Sequence, residues 1–231
     1  MAGLFAHELI AKLVLKKVSK RAFISRYENV DDYFFGAIAP DIRYINNSPR
    51  EITHRSKGKN SIFESLEKSS TSMPFMAGYE THLIVDNTWS NDNKTMEKSI
   101  YEHYGLDAGN PLHKFSLYLL ADDYFQGESG WFFQFESAGN VLRANDVSVL
   151  QNLGFSLNNI LRYKSAAAFY LREPGIDTFN IFNLLPNNFD ETIIRKISDQ
   201  ISDQKTSLTS FLKDFKKISI ENCVEALGRY L

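Results

Sequence analysis

The stretch AGYETHLIVDNTWSN, residues 77–91, decides how this chain folds and where its chemistry lies. Its apolar residues recur every three or four positions, which is the spacing of one face of an α-helix. His82 and Asp86 lie one helical turn apart on that face. A buried carboxylate without a partner costs roughly several kcal/mol unless a cation or hydrogen bonds compensate its charge. We therefore expect the folded protein to neutralise Asp86.

Composition and periodicity predict one all-α domain that spans residues 1–231. The chain is 43% apolar and 13% aromatic, which is enough for one hydrophobic core. Helical spacing recurs almost throughout, and no segment shows the two-residue alternation of a strand. With 26 basic against 28 acidic residues, the chain has no strong electrostatic field to recruit nucleic acid or an anionic membrane.

The first helix is predicted within MAGLFAHELIAKLVLKKVSKRAF, residues 1–23. The apolar part is too short and too polar to span a bilayer, so we expect it to be a helix of the mature fold. His7 is the one polar member of its apolar stripe, whose other members are Leu4, Ala11, Val14 and Val18. The opposite, solvent-facing side should carry Glu8, Lys12 and Lys16.

A second helix is predicted over VDDYFFGAIA, residues 30–39, and should stop at Pro40, because proline disfavours the helical conformation of the residue before it. Asp41 therefore follows a helix end. Residues 42–60 contain few apolar positions, and they predict a long connection that carries His54. Pro74 suits the first turn of the helix that contains residues 77–91.

The remainder predicts a set of helices that serve as scaffold or cover for the amino-terminal site. Asn110 and Pro111 suit a cap and first turn for residues 111–126, which are apolar on nearly all sides and predict a buried central helix. Further helices are expected near 141–152, 156–172, 189–203 and 205–230. The single cysteine, Cys223, excludes an internal disulfide and a thiolate metal cluster, which favours a cytoplasmic protein. Its place in a predicted helix of apolar spacing, far in sequence from any histidine, predicts a core position for it.

His7, His82 and Asp86 present inward-facing side chains of the kinds that bind zinc and similar divalent ions. Asp41 and His54 could complete the ligand shell from loops. Each residue also fits a simpler role, which the pattern alone leaves open. His82 and Asp86 could form a hydrogen-bonded core pair, Asp41 could accept backbone amides in a turn, and His54 could be solvated.

Four segments in order resemble the zinc-dependent phospholipase C family, all-helical enzymes related in fold to fungal zinc-dependent nucleases. The segments are AHELIAK, FFGAIAPDIRY, ITHRS and GYETHLIVDNTW, within roughly the first 90 residues. Their most specific parts are the Gly-x-x-x-Pro-Asp turn, the Thr-His pair and the His-x-x-x-Asp helix. The resemblance implies a zinc cluster that hydrolyses a phosphodiester.

The same resemblance implies a role for each candidate ligand. Asp41, His54, His82 and Asp86 look like one zinc site, with Asp86 bridging to a second ion that His7 also binds. Asp41 is the candidate to orient or deprotonate the attacking water. The family's third ion uses two histidines and a glutamate downstream, where this chain offers only His103 and His113, with acidic substitutes among Asp92, Glu102, Asp122 and Asp123. One or two zinc ions, or another divalent metal, are therefore expected.

The resulting hypothesis is a metal-dependent hydrolase of a phosphoric ester, acting on a small molecule or a lipid head group. Arg43, Arg55 or Lys57 could meet the substrate phosphate, and each is otherwise a solvated side chain. Aromatic residues could line the pocket or simply pack the core, and they are Tyr33, Tyr44, Tyr79 and Trp89. The alternative is a non-catalytic relative that binds metal and acts as a structural or interaction protein.

Overall fold

The computed structural model describes residues 3–18, 30–45, 48–54, 72–92, 94–173, 191–202 and 205–228, and their regular structure is entirely helical, as predicted. No helix within these ranges has both the length and the hydropathy of a transmembrane span. The described ranges contain a 3₁₀ segment, Ala39–Ile45, and a π-helical turn, Thr88–Asp92, in addition to the α-helices. The eleven α-helices of these ranges are α1 (Leu4–Lys17), α2 (Val30–Ile38), α3 (Arg50–His54), α4 (Met73–Asn87), α5 (Lys94–His103), α6 (Pro111–Ser129), α7 (Trp131–Arg143), α8 (Ser148–Asn152), α9 (Leu157–Arg172), α10 (Glu191–Ser202) and α11 (Lys205–Leu227).

The predicted starts of α4 and α6 are confirmed. Ser72 caps α4, where its hydroxyl accepts a hydrogen bond from the Phe75 N–H at 3.3 Å, with proline in the first turn. Asn110 caps α6 by accepting from the Leu112 N–H at 2.9 Å, again with proline in the first turn. Each cap satisfies a backbone donor that has no partner inside its own helix.

The predicted connection over residues 42–60 is wrong in its described part. α2 ends at Ile38, close to the predicted stop at Pro40, but the backbone then tightens into the 3₁₀ segment, and residues 50–54 form α3. Pro40 is compatible with this because the first turn of a helix needs no N–H donor. His54 therefore lies on a helix, and residues 55–60 are outside the described ranges.

The predicted helix over 141–152 is also wrong, because two helices meet there. α7 ends at Arg143 and α8 begins at Ser148. Asp146 stabilises the break, since its carboxylate accepts hydrogen bonds from both the backbone N–H and the hydroxyl of Ser148. Gly130, with a φ of +74°, separates α6 from α7, and this left-handed conformation is natural for glycine.

α1, and not α6, is the central helix of the described fold. It packs against α2, α4, α6, α9 and α11, so Glu8, expected on its solvent side, is fully buried. α6 buries only one stripe, which includes Leu117 and Phe125, and leaves Asp123 and Gly127 exposed. The prediction of a helix buried on nearly all sides was therefore wrong. The predicted core position of Cys223 is confirmed. The buried apolar stripe of α1 is also confirmed, and it consists of Leu4, Ala11, Val14 and Val18.

α2 and α4 cross with their backbones in contact at two glycines. A Cβ on Gly36 would lie 2.3 Å from the carbonyl oxygen of Phe75, and one on Gly78 would lie 1.9 Å from that of Tyr33. No other residue type fits either position without moving a helix. This contact sets the distance between α4 and the carboxyl end of α2, from which the 3₁₀ segment continues.

Candidate metal centre

The structure gathers the five sequence-predicted ligands into two buried groups that share His82. One group is His7, Asp41 and His82, and the other is His54, His82 and Asp86. In each group the potential ligand atoms all lie within 4.8 Å of one another. The described part of the chain is thus all-helical, with buried histidine and aspartate clusters that could hold a metal ion. The grouping differs from the resemblance, which places Asp41 with His54 and leaves His7 to another ion.

The His54, His82 and Asp86 group has the spacing of ligands around one small ion. His54 Nε2 lies 3.2 Å from His82 Nε2 and 3.4 Å from Asp86 Oδ2, and His82 Nε2 lies 3.8 Å from the same oxygen. Ligands bound tetrahedrally to zinc at about 2.05 Å are about 3.3 Å apart. The three observed distances fit such a triangle with small adjustments.

Hydrogen bonds orient the two imidazoles of this group. His82 Nδ1 lies 2.9 Å from the backbone carbonyl of Ala37, so Nδ1 carries the proton and donates. The lone pair of His82 is consequently on Nε2, which faces the cluster. His54 Nδ1 bonds the Thr53 hydroxyl at 2.8 Å, which also leaves its Nε2 towards His82. Histidines that ligate metals are typically held in this way by the other ring nitrogen.

The His7, Asp41 and His82 group contains polar atoms without satisfactory hydrogen bonds. The rings of His7 and His82 stack at a centroid distance of 3.8 Å and an angle of 9°. His7 Nε2 lies 3.3 Å from Asp86 Oδ1, yet neither ring nitrogen of His7 makes a well-formed hydrogen bond within the described residues, and nor does Asp41 Oδ1. Buried polar atoms normally have partners, so these atoms are suited to a ligand.

The electrostatics favour neutral imidazoles around an ionised carboxylate. Burial, together with the nearby His7, holds the pKa of His82 well below its usual value, and burial also lowers the pKa of His54. Burial would raise the pKa of Asp86, but nearby positive charge, followed by the polar contacts of the His54, His7 and His82 imidazoles, holds it well below its usual range. Neutral imidazole and ionised carboxylate are the forms that bind metal.

Asp122 positions the ligand-bearing end of α1. Its two carboxylate oxygens accept hydrogen bonds from the Phe5 N–H at 3.0 Å and the Ala6 N–H at 2.9 Å, and Tyr170 donates a third at 2.8 Å. These N–H groups belong to the first turn of α1, which has no internal acceptors for them. Asp122 thereby sets the position of His7, which directly follows Ala6. Sequence reasoning noted only its possible use as a ligand.

Tyr79 positions α3 on the other side of the cluster. Its hydroxyl donates to the backbone carbonyl of Thr53 at 2.6 Å. Because Thr53 directly precedes His54, this bond sets where the last turn of α3 lies. Tyr79 is fully buried, so its role is in the core and not in lining an open pocket.

Arg50 is a residue of the site that sequence reasoning missed. It lies one turn before His54 on α3, and its Nη2 donates to Asp86 Oδ2 at 2.5 Å. The four-residue spacing in REITH, residues 50–54, was the available signal. It was overlooked because the segment was interpreted as a connection.

Other candidates lie outside the two groups. Tyr33 and Trp89 are fully buried in the core, and Tyr44 is partly buried against Arg43. Neither group includes any described alternative ligand for a third ion, and His103, Glu102 and Asp123 are exposed. Outside the described residues lie Arg55, Lys57 and the side chain of Asp92.

No family model, curated protein or solved structure matches this chain. The hypothesis of a metal centre therefore depends on the geometry of five side chains. The resemblance to zinc-dependent phospholipase C depends on the four sequence segments alone and stays a prediction.

Proposed function

We propose that this protein is a metal-dependent hydrolase of phosphoric esters that binds one or two zinc ions. The observation that carries the proposal is the convergence of three imidazoles and two carboxylates from four segments on one buried volume. Their donor types suit zinc, and the ligand spacing in the His54, His82 and Asp86 group suits one such ion. The order of the four segments, similar to zinc-dependent phospholipase C, supports phosphoester chemistry.

The site residues take two roles, metal ligation and proton transfer. Zinc bound here would supply an acidified water and a Lewis acid for a phosphoryl oxygen. His82 belongs to both buried ligand groups and is oriented by its hydrogen bond to the Ala37 carbonyl. It is therefore the ligand on which the site depends most. Asp41 lies in the 3₁₀ segment with one carboxylate oxygen lacking a hydrogen bond among the described residues. Asp41 is therefore the candidate to orient a water or to accept its proton.

A second function is favoured by how deeply the ligands are buried. His7 and His82 are fully buried, and the side chains of His54 and Asp86 are 4% and 3% exposed. Structural zinc sites are closed in this way, whereas catalytic sites keep an open position for water or substrate. The alternative is therefore a protein that binds metal for stability and acts through its surface.

Metal analysis followed by turnover of a chromogenic phosphodiester, with and without chelator, tests the proposal. The hydrolase should contain about one or two zinc ions per chain and lose activity on chelation. Bound zinc and chelator-induced unfolding, without any turnover, would favour the structural function. A protein that contains no zinc and takes up none would refute both.

His82→Ala provides the matched test at residue level. It should abolish zinc binding and turnover, because both groups lose their shared ligand. His103→Ala is the control, since His103 is exposed and belongs to neither group, and it should leave both properties unchanged. Normal zinc content in His82→Ala would refute the proposed metal site.

A further inference from the structure

Arg50 connects the buried cluster to solvent. It lies on the same face of α3 as His54, one helical turn earlier. Its side chain is 39% exposed, whereas its partner Asp86 is 3% exposed. Arg50 thus brings a full positive charge from the protein surface to a buried carboxylate.

The oxygen that Arg50 holds is the one a metal would need. Asp86 Oδ2 accepts from Arg50 Nη2 at 2.5 Å, and the same oxygen lies nearest the Nε2 atoms of His54 and His82. The other carboxylate oxygen, Oδ1, faces His7. A divalent cation bound by His54, His82 and Asp86 would therefore lie beside the guanidinium and repel it. Arg50 and the metal compete for one atom.

We propose that Arg50 is the phosphate-binding residue of this site, paired with Asp86 in the absence of metal and available to a phosphate oxygen once a divalent cation holds Asp86. This inference rests on the proposed function and adds the residue that recognises its substrate class. A guanidinium makes two parallel hydrogen bonds to phosphate oxygens. Its partial exposure lets a ligand reach it without unfolding of the core.

Arg43, the other described arginine near the site, is already engaged elsewhere. Its Nη2 donates to the Tyr44 hydroxyl at 2.6 Å, and its guanidinium lies 4.0 Å from the centre of the Tyr44 ring. Metal binding to Asp86 would not change either contact. Arg50 is therefore the better candidate, because occupation of the cluster by a cation alters its own ion pair.

Calorimetric titration of inorganic phosphate into zinc-loaded protein measures the phosphate affinity and tests the inference. Arg50→Gln should weaken phosphate binding by about tenfold or more, and Arg50→Lys should have an intermediate effect, because lysine keeps the charge but loses the paired donors. The control is Arg143→Gln, since Arg143 is 60% exposed and pairs with Asp31 away from the site. Phosphate affinity of this control should equal that of the wild type.

Zinc titration in phosphate-free buffer provides a readout that does not depend on activity. Arg50→Gln should bind zinc more tightly than the wild type, because the competitor for Asp86 Oδ2 is gone. Circular dichroism of each zinc-loaded variant checks that it is folded.

The outcomes separate this inference from the function on which it rests. A wild-type protein that takes up no zinc would overturn the proposed function and this inference together. Normal zinc binding by the wild type, with unchanged phosphate affinity in folded Arg50→Gln, would overturn the inference alone. Weaker zinc binding by Arg50→Gln would do the same, because Arg50 would then support the metal instead of competing with it.

Discussion

Gly78→Ala tests whether the close crossing of α2 and α4 builds the candidate metal centre. A Cβ at position 78 would lie 1.9 Å from the carbonyl oxygen of Tyr33 and 2.9 Å from the backbone nitrogen of Ala37. Packed atoms in protein interiors approach to about 3.5 Å. The two helices must therefore separate by more than about 1 Å to accept one methyl group.

This separation should act on both stability and metal binding. The hydrogen bond between His82 Nδ1 and Ala37 O, now 2.9 Å long, joins the two helices and would stretch beyond bonding distance. Overpacking costs about 1–3 kcal/mol and an unsatisfied buried group about 1–3 kcal/mol more. We expect a loss of about 2–6 kcal/mol in the free energy of unfolding. Zinc affinity should fall as well, because Asp41 follows α2 and His82 lies on α4.

Gly127→Ala is the matched control, because it makes the same change inside a helix without a collision. In the described part of the chain, no heavy atom lies within 4 Å of a Cβ at this exposed position of α6. Replacing a helical glycine by alanine there should stabilise the protein by about 0.5–1 kcal/mol. Urea unfolding and zinc titration measure both variants. A Gly78→Ala protein within about 0.5 kcal/mol of the wild type, with unchanged zinc affinity, would refute the reasoning.

Three further predictions concern the surroundings of the cluster. Burial raises the pKa of Asp122 from 3.8 to about 6. Between pH 3.8 and about pH 6 the folded state therefore keeps a proton that the unfolded chain loses. The stability of the wild type falls as the pH rises through this window. The free energy of unfolding of Asp122→Asn, relative to that of the wild type, should then rise by up to about 3 kcal/mol from about pH 4 to about pH 7. Urea unfolding at several pH values measures this, and a difference between the two proteins that does not change with pH would contradict it. Tyr79→Phe removes the donor to Thr53 O and should cost about 1 kcal/mol and weaken zinc binding several-fold, whereas unchanged unfolding and zinc titrations would count against it. Chelation should lower the melting temperature of zinc-loaded wild type by about 10 °C, and that of His82→Ala by far less, in a thermal scan.

The sequence predicted the parts of the site that lie on long, periodic helices. His7, His82 and Asp86 were found because each interrupts a clear apolar stripe, and the structure buries all three. Asp41 was found through its place after the predicted helix end at Pro40, and α2 does end nearby, at Ile38, although a 3₁₀ segment follows it in place of a loop. Their proximity could not follow from periodicity, since it depends on how α1, α2 and α4 pack.

The parts that were missed depend on short helices and tertiary contacts. α3 has only five residues, which is too few for a periodic pattern, and an isolated helix of this length is unstable in water. Its interpretation as a connection concealed Arg50 and assigned His54 to a loop. Glu8 was assigned to the solvent side of α1 because its neighbours on that side, Lys12 and Lys16, are charged. Only the packing of helices all around α1 shows that Glu8 is buried.

The five candidate ligands differ in how firmly the fold holds them, and this difference bears on function. His7, His82 and Asp86 project from α1 and α4, which pack against each other in the core. His54 comes from α3, a short helix that packs against the 3₁₀ segment and is tied to α4 through Tyr79. A preorganised set of ligands needs little rearrangement to accept an ion. The same short helix carries Arg50, so the least firmly held element of the site brings both the last ligand and the charge that faces solvent.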